Sequence, residues 1–137
     1  MTKSYELACP VARSLEVIGD RWTLLIVREL LLGRMRYTEI TEALHGIPPN
    51  LLAERLRLLE DEAIIERLEP RGYRLTGKGR ELAPVLGGLA VWGIRHYGET
   101  PSALAIHAGC GGEIHTASTC SSCGDTVPMS DLELLPQ

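Results

Sequence analysis

The sequence predicts a mainly α-helical protein with one small β-hairpin. The core must be built largely from aliphatic side chains, because Phe is absent and 137 residues contain only two Trp and four Tyr. These side chains recur at helical spacing in several segments that begin near proline or a capping residue and end at glycine. One short segment instead carries strand-forming residues around a Pro-Arg-Gly turn.

Three helices are predicted before the first tight bend. The first begins at Pro10, since proline favours the first helical position, and ends at Gly19. The second, residues 22–32, is apolar on nearly every side, as expected at the centre of a small bundle, and Gly33 ends it. The third is short, keeps one apolar face over residues 37–44, and closes at residues 45–46.

A fourth helix is predicted from Pro49 to about Asp61. Two short helices joined by a turn that contains Gly46 form a helix-turn-helix, in which the second is the recognition helix. A helical wheel separates two faces of this helix. The inward face carries Leu51, Leu52, Leu56, Leu58 and Leu59, and the outward face carries Asn50, Ala53, Glu54, Arg57 and Glu60.

A small wing follows the recognition helix. Residues 64–68 have strand-like composition, residues 70–72 supply a turn, and residues 73–75 can return as the partner strand. Thr76 then caps one further helix that continues to about Tyr97, with Gly87-Gly88 expected to bend it or to admit a close neighbour. The predicted fold is therefore a winged helix-turn-helix.

The outward face of the recognition helix predicts contact with double-stranded DNA. In this motif the N-terminal end of the helix enters the major groove, where Asn50 can pair with adenine and Arg57 with guanine or phosphate. Arginines on the wing and before the third helix are predicted to hold backbone phosphates. The predicted DNA-binding set is Arg36, Pro49, Asn50, Ala53, Glu54, Arg57, Arg71 and Arg74, with Arg34 as a further candidate.

The competing interpretation is an ordinary solvated face on an α-helical domain, because the nearby Glu54, Glu60, Asp61 and Glu62 weaken the positive field. Arg55 lies within the apolar arc of the recognition helix. We therefore predict that it is a structural ion-pair partner and does not read bases.

The charge distribution separates two parts of the chain. The net charge is −4, yet all 14 Lys and Arg residues lie in residues 1–98, opposite 13 acidic residues, whereas residues 99–137 hold five acidic residues and no Lys or Arg. This asymmetry predicts a DNA-binding and dimerisation domain at 1–98 and an extension at 99–137 that faces away from DNA. No segment resembles a signal peptide or a membrane span, which predicts a cytoplasmic protein without a membrane partner.

The extension carries paired metal-ligand types. His107 and Cys110, and likewise Cys120 and Cys123, are each separated by two residues and followed by glycine, the arrangement in which a tight knuckle presents two side chains to one tetrahedral zinc ion. The sequence therefore predicts a short zinc-ribbon-like β tail with one structural Zn²⁺ per chain. His115 remains a rival to His107 as the fourth ligand, and three free or oxidised cysteines in an unfolded tail are the alternative.

The first 97 residues resemble the HxlR-type winged-helix regulators in residue identity, order and spacing. The resemblance covers residues 9 to about 97 and rests on these segments: Cys9-Pro10-Val11, residues 18–26, Arg28-Glu29-Leu30, residues 37–40, Gly46-Ile47, Leu52 with Arg55-Leu56, Leu59-Glu60, Tyr73-Arg74-Leu75-Thr76 with Gly79, Val85-Leu86 and Trp92.

The resemblance implies a homodimer held by the terminal helices that binds a two-fold symmetric operator and represses a neighbouring gene. Two departures stand out. Pro48-Pro49-Asn50 occupies a place where many members carry Ser-Pro-Lys, which removes one basic contact, and the wing is shorter than the commonest form. A small-molecule effector that binds between the terminal helices of the dimer is also compatible with the sequence.

Cys9 stands alone at the predicted start of the first helix, where the helix dipole favours a thiolate. In several members that resemble this chain the matching cysteine senses oxidants, quinones or aldehydes. A buried cysteine that fills a gap between helices is the alternative interpretation.

Catalytic motifs are not evident, so an enzyme is not expected. The enzymatic alternative rests on Cys120 and Cys123 as a redox dithiol, which lacks the βαβ context of thioredoxin-like proteins. A further alternative is a protein-interaction module in which the winged helix binds partners other than DNA.

Overall fold

The computed structural model describes residues 4–98, 106–115, 117–133 and 135. The chain divides into two compact units, Met1–Ala83 and Pro84–Gln137. The predicted boundary after residue 98 adjoins residues 99–105, which lie outside the described part of the chain, so that division remains a prediction. None of the described helices is long and apolar enough to cross a bilayer.

The first unit contains five helices and one hairpin in the predicted order. The helices are α1 (Pro10–Ile18), α2 (Thr23–Leu31), α3 (Tyr37–Ala43), α4 (Pro49–Asp61) and α5 (Gly77–Arg80). The wing consists of β1 (Ile65–Arg67) and β2 (Tyr73–Leu75), which pair antiparallel with Ile65 opposite Leu75. The mainly helical winged helix-turn-helix predicted from the sequence is thus confirmed.

The core of this unit lies between α2, α3, α4 and the wing. Apart from Thr23 and Glu29, its fully buried side chains are aliphatic, as the absence of Phe predicts, and they come from every one of these elements. They include Ile26, Val27, Ile40, Leu52, Leu56, Leu59 and Ile65. Because α4 buries its leucine face in this core, its opposite face is left exposed to solvent.

Asp20 anchors the start of α2. Its carboxylate accepts hydrogen bonds from the backbone N–H groups of Trp22 and Thr23, and from the Thr23 hydroxyl, in the manner of an N-terminal cap. The Nε atom of Arg55 lies 3.4 Å from the same carboxylate. Arg55 is therefore the structural ion-pair partner that the sequence predicts, and it ties α4 to the start of α2.

A buried carboxylate fixes the segment between α2 and α3. Glu29 is only 1% exposed, and its two oxygens pair with Arg28 and Arg34. The carbonyl oxygen of Met35, which follows Arg34, accepts a hydrogen bond of 2.7 Å from the backbone N–H of Tyr73 in the wing. A side chain at Gly72 would meet the carbonyl oxygen of Met35 at 3.1 Å, and φ is +127° there, so glycine permits this close approach.

The long helix predicted after Thr76 is instead two helices. The Thr76 hydroxyl caps α5, accepting from the N–H of Gly79 at 3.1 Å, as predicted. The helix then ends, and α6 (Ala83–Tyr97) begins anew. Pro84 explains the break, because proline has no N–H to donate to Arg80 and its ring clashes with the preceding turn.

The second unit buries little. Leu86 is the buried residue of α6 among the described side chains, and a side chain added at Gly88 would meet nothing within 4 Å, so no close neighbour within the described chain accounts for this glycine. The tail contains two small antiparallel pairings. One is a bridge between Ile106 and Glu113, and the other joins β3 (Ser118–Thr119) to β4 (Thr126–Val127).

Candidate nucleic-acid interface and tail knuckles

The two helices of the helix-turn-helix are locked together at the end that would approach DNA. The Tyr37 hydroxyl, at the start of α3, donates to the carbonyl oxygen of Pro49 at 3.2 Å, at the start of α4. The Glu39 carboxylate accepts from the N–H groups of Met35 and Arg36 at 3.0 and 2.9 Å, which caps α3. The N-termini of both helices are thereby held in a fixed relation.

The outward face of α4 is exposed as the helical wheel predicts, except for Glu60, which is half-buried. Its exposed members are Pro49, Asn50, Ala53, Glu54 and Arg57. No side chain caps the helix start, so its first amide groups remain free to donate to an anion. This face thus combines unpaired backbone donors at one end with an amide and a guanidinium along its length.

Three arginines line one groove beside the wing. Arg36, Arg67 and Arg71 border a cavity of about 670 Å³ between the start of α3 and the turn of the wing. The turn includes a cis peptide between Glu69 and Pro70. Within the described part of the chain, the side chains of Arg57 and Arg71 make no hydrogen bond or ion pair, so both guanidinium groups are available to phosphate.

Sequence reasoning did not select Arg67. Its guanidinium makes a two-point contact with Glu60 of α4, with Nε–Oε1 at 2.7 Å and Nη2–Oε2 at 3.1 Å, and lies 5.6 Å from the centre of the Tyr73 ring. The hydrogen bonds that Arg67 donates to Glu60 raise the pKa of its guanidinium above the ordinary value. The register that places Arg67 opposite Tyr73 belongs to the folded hairpin, so the sequence offered no signal for it.

Two of the predicted phosphate ligands already have partners. Arg74 pairs with Glu66, which lies directly opposite it in the hairpin, and Arg34 pairs with buried Glu29. Either arginine would have to leave a carboxylate in order to bind phosphate. Arg36, Arg57 and Arg71 are consequently the better candidates within the predicted set.

Cys9 lies at the N-terminal cap of α1. Its thiol is half-buried and free of disulfide, and its carbonyl oxygen accepts from the N–H of Arg13 at 3.0 Å. Pro10 occupies the first helical position, as predicted.

The four predicted metal ligands fall into two knuckles. His107 Nδ1 lies 3.2 Å from Cys110 Sγ. Cys120 Sγ accepts hydrogen bonds from the backbone N–H groups of Cys123 and Ser122 and from the Cys123 thiol, and these lower the pKa of Cys120 below its ordinary value. Each knuckle lies at the tip of one antiparallel pairing.

The two knuckles are not gathered around one point. Within residues 106–115 and 117–133, no three His, Cys, Asp or Glu side chains lie close enough together to hold a metal ion. The rival ligand His115 is exposed and lies outside both knuckles.

Comparison with known proteins identifies the first part of the chain. Residues 17–101 match the family described as HxlR-like helix-turn-helix. An uncharacterized HTH-type transcriptional regulator of Mycobacterium tuberculosis, Rv3095, is 35% identical over 125 residues, which cover 85% of this chain and 78% of the relative.

Two solved structures extend the comparison. The crystal structure of PA1607, a candidate transcription factor, is 32% identical and superposes with a TM-score of 0.81 over 96% of this chain and 97% of its own. Quinone-bound YodB from Bacillus subtilis is 39% identical and superposes with a TM-score of 0.58 over 64% of this chain and 98% of its own.

Proposed function

Because the chain belongs to the HxlR-like helix-turn-helix family of transcriptional regulators, we propose that it is a homodimeric repressor that binds a two-fold symmetric DNA operator. In this proposal the outward face of α4 reads bases in the major groove. The groove beside the wing holds the adjacent phosphates. The family consists of DNA-binding regulators, which points away from an enzyme.

The observation that carries the proposal is that two exposed arginines, Arg57 and Arg71, make no ion pair with a carboxylate among the described residues. Arg57 projects from the exposed face of α4, and Arg71 projects from the wing turn into the groove shared with Arg36. Guanidinium groups without carboxylate partners can bind guanine or phosphate without first breaking an ion pair. Although the chain has a net charge of −4, Arg57 and Arg71 lie on the surface proposed to contact DNA.

The exposed apolar face of α6 supports a dimer. Val85, Leu89 and Trp92 recur at helical spacing and are each about half exposed, at 44%, 51% and 54%. Such a stripe is costly in water and is typical of a surface that another subunit covers. A second copy of this chain is the occupant that we propose, because a two-fold operator needs two recognition helices held about 34 Å apart along the duplex.

A binding experiment with full-length protein tests the proposal. Duplexes are selected from a random library, and the affinity of the enriched sequence is then measured at several salt concentrations. We expect a palindromic sequence, a stoichiometry of two chains per duplex, and an affinity that falls steeply as salt increases. Selection of no sequence, or a single chain per duplex, would contradict the proposal.

Variants separate base reading from phosphate contact. Arg57→Ala should weaken binding to the selected duplex by about 1–3 kcal/mol and relax the preference at one position in each half-site. Arg71→Ala should weaken binding to all duplexes alike and lower the salt slope by about one. Arg13→Ala, an exposed arginine on α1, is the matched control and should change neither quantity.

Repression is tested in the cell. A reporter placed behind the selected operator should be silenced by the full-length protein and released by Arg57→Ala. A reporter that is activated instead would keep the DNA-binding proposal and reject the repressor.

A quinone-bound structural relative favours electrophile sensing through Cys9 as a second candidate function. The half-buried thiol at the start of α1 would be modified by a quinone, and the modification would release the operator. We expect benzoquinone to weaken operator binding by wild-type protein but not by Cys9→Ser. Because the tail thiols could also react, a variant with Cys110, Cys120 and Cys123 all changed to Ser serves as the control, and it should still respond. Equal release of wild type and Cys9→Ser would remove this role.

A further inference from the structure

We propose that His107, Cys110, Cys120 and Cys123 bind one structural Zn²⁺ ion per chain, with each knuckle supplying two ligands. This site lies outside the DNA-reading face, and the proposal does not depend on the repressor assignment. It follows from an internal match between the two knuckles, from the donor atoms that they carry, and from the lack of buried residues in the described part of the tail.

The two knuckles have the same backbone structure. In residues 107–112 and 120–125 the first residue donates its N–H to the carbonyl of the sixth, at 2.8 and 2.9 Å. In both, the fifth residue donates its N–H to the carbonyl of the first, at 2.8 and 2.9 Å. The fifth residue is glycine with a left-handed φ in both, +75° at Gly111 and +76° at Gly124. The tail therefore holds the same six-residue turn twice.

The potential ligands occupy equivalent positions in these turns. His107 and Cys120 are first residues, and Cys110 and Cys123 are fourth residues. A turn that places its first and fourth side chains on one side is the geometry of a two-ligand zinc knuckle. This equivalence selects His107 over His115, because His115 has no place in either turn. The spacing in the sequence could not distinguish the two histidines.

The donor atoms of the first knuckle already converge. His107 Nδ1 and Cys110 Sγ are 3.2 Å apart, and two such donors bound to one tetrahedral zinc at the usual bond lengths lie roughly 3.5 Å apart. In the second knuckle, Cys120 and Cys123 stand at the two positions that His107 and Cys110 occupy in the first. Each knuckle is thus a prepared half-site, and binding of the ion would bring the two halves together.

The donor set favours zinc over other divalent ions. One imidazole and three thiolates suit a borderline-soft ion that prefers tetrahedral coordination, whereas Mg²⁺ and Ca²⁺ prefer oxygen ligands. With four protein ligands no position is left for water or substrate, so the site is structural.

The described residues of the tail show no other source of stability. None of its described residues from 106 to 135 is buried, and Ile106, Ile114, Met129 and Leu135 are all at least half exposed. Two-residue strands without a buried core are marginal on their own. Metal binding supplies folding free energy directly in segments of this kind.

Metal content of the full-length protein tests the inference. The protein is purified under reducing conditions, reconstituted with Zn²⁺ and desalted, and its zinc is measured by mass spectrometry. We expect one zinc per chain in wild type. Cobalt(II) in place of zinc should give the intense visible absorption of a tetrahedral thiolate site. Zinc well below stoichiometric after reconstitution, or cobalt absorption typical of six-fold oxygen coordination, would overturn the proposal.

Matched variants identify the fourth ligand. His107→Ala should weaken zinc binding by more than the roughly 10–100-fold that loss of an outer partner causes, and His115→Ala should leave the affinity unchanged. Cys123→Ser should resemble His107→Ala, and all three variants should keep the wild-type circular dichroism at 222 nm, which shows that the helical part folds. Loss of zinc from His115→Ala alone would overturn the assignment of His107. A metal-free protein that forms a reversible Cys120–Cys123 disulfide would establish the redox alternative instead.

Discussion

The winged helix and the tail differ in what can hold them together. From α2 to β2 the chain buries aliphatic side chains in nearly every element, and several of them are completely inaccessible to water. The described tail buries none, although it contains two well-defined turns and two short strand pairings. Apolar burial is enough for the first region, whereas the second needs a cross-link, a metal or a partner.

This contrast teaches that regular local structure and stability are separate properties. The tail turns are specified by glycine and backbone hydrogen bonds, which cost little to form but contribute little net stability in water. The winged helix draws its stability from long-range contacts such as those between α4 and β1. The following predictions test this difference.

Metal removal should have the largest effect, and only in the tail. Chelation of zinc-loaded protein is expected to speed hydrogen exchange in peptides covering residues 106–133 by on the order of 100-fold or more, because the ion supplies most of their stability. Peptides from α2 and α4 should exchange as before. Mass spectrometry measures both. Unchanged protection in the tail would mean that its own contacts suffice.

A core truncation should have the next largest effect, and only in the winged helix. Leu52 is inaccessible to water in α4, so Leu52→Ala should lower the free energy of unfolding by about 2–5 kcal/mol. Leu135 is 76% exposed, so the same truncation there should change it by less than about 0.5 kcal/mol. Urea unfolding followed by circular dichroism at 222 nm measures both variants. Similar losses would show that the tail has a core of its own.

The smallest expected effect concerns the carboxylate of Glu16 on α1. The N–H of Tyr5 and then the Arg13 guanidinium hold the pKa of Glu16 below its ordinary value of 4.5. Since the folded pKa is the lower one, this contribution is present above pH 4.5 and is lost as pH falls through the folded value. Glu16→Gln should therefore lower the thermal midpoint slightly at pH 7. The difference should shrink as the pH falls below 4.5 and the carboxylate becomes protonated, and a difference that stays constant would implicate packing.

Most of the winged helix could be predicted from the sequence because its signals are local. Pro10, Gly19 and Gly33 bound helices where expected, and Pro49–Asp61 is helical over the predicted range. The single helix predicted after Thr76 did not include the break between α5 and α6, although Pro84 is a helix-breaking signal. The apolar periodicity on both sides of that residue is continuous, and periodicity outweighed the proline in the prediction.

The exposed face of the DNA-binding surface could be predicted from the sequence, but the ion-pair partners of its arginines could not. The wheel of α4 correctly placed Asn50 and Arg57 outward, because burial of leucines leaves only one exposed face. It could not show that Arg74 faces Glu66, or that Arg67 joins the groove, since both depend on the register of the hairpin.

The sequence by itself determined most of the helices, the wing, the family and the ligand types of the tail, because capping, periodicity and residue spacing are properties of neighbouring residues. The tertiary structure decided which arginines are free for phosphate and that residues 107–112 and 120–125 adopt the same turn. Those outcomes depend on hydrogen bonds and ion pairs between residues whose relative positions only the folded backbone specifies.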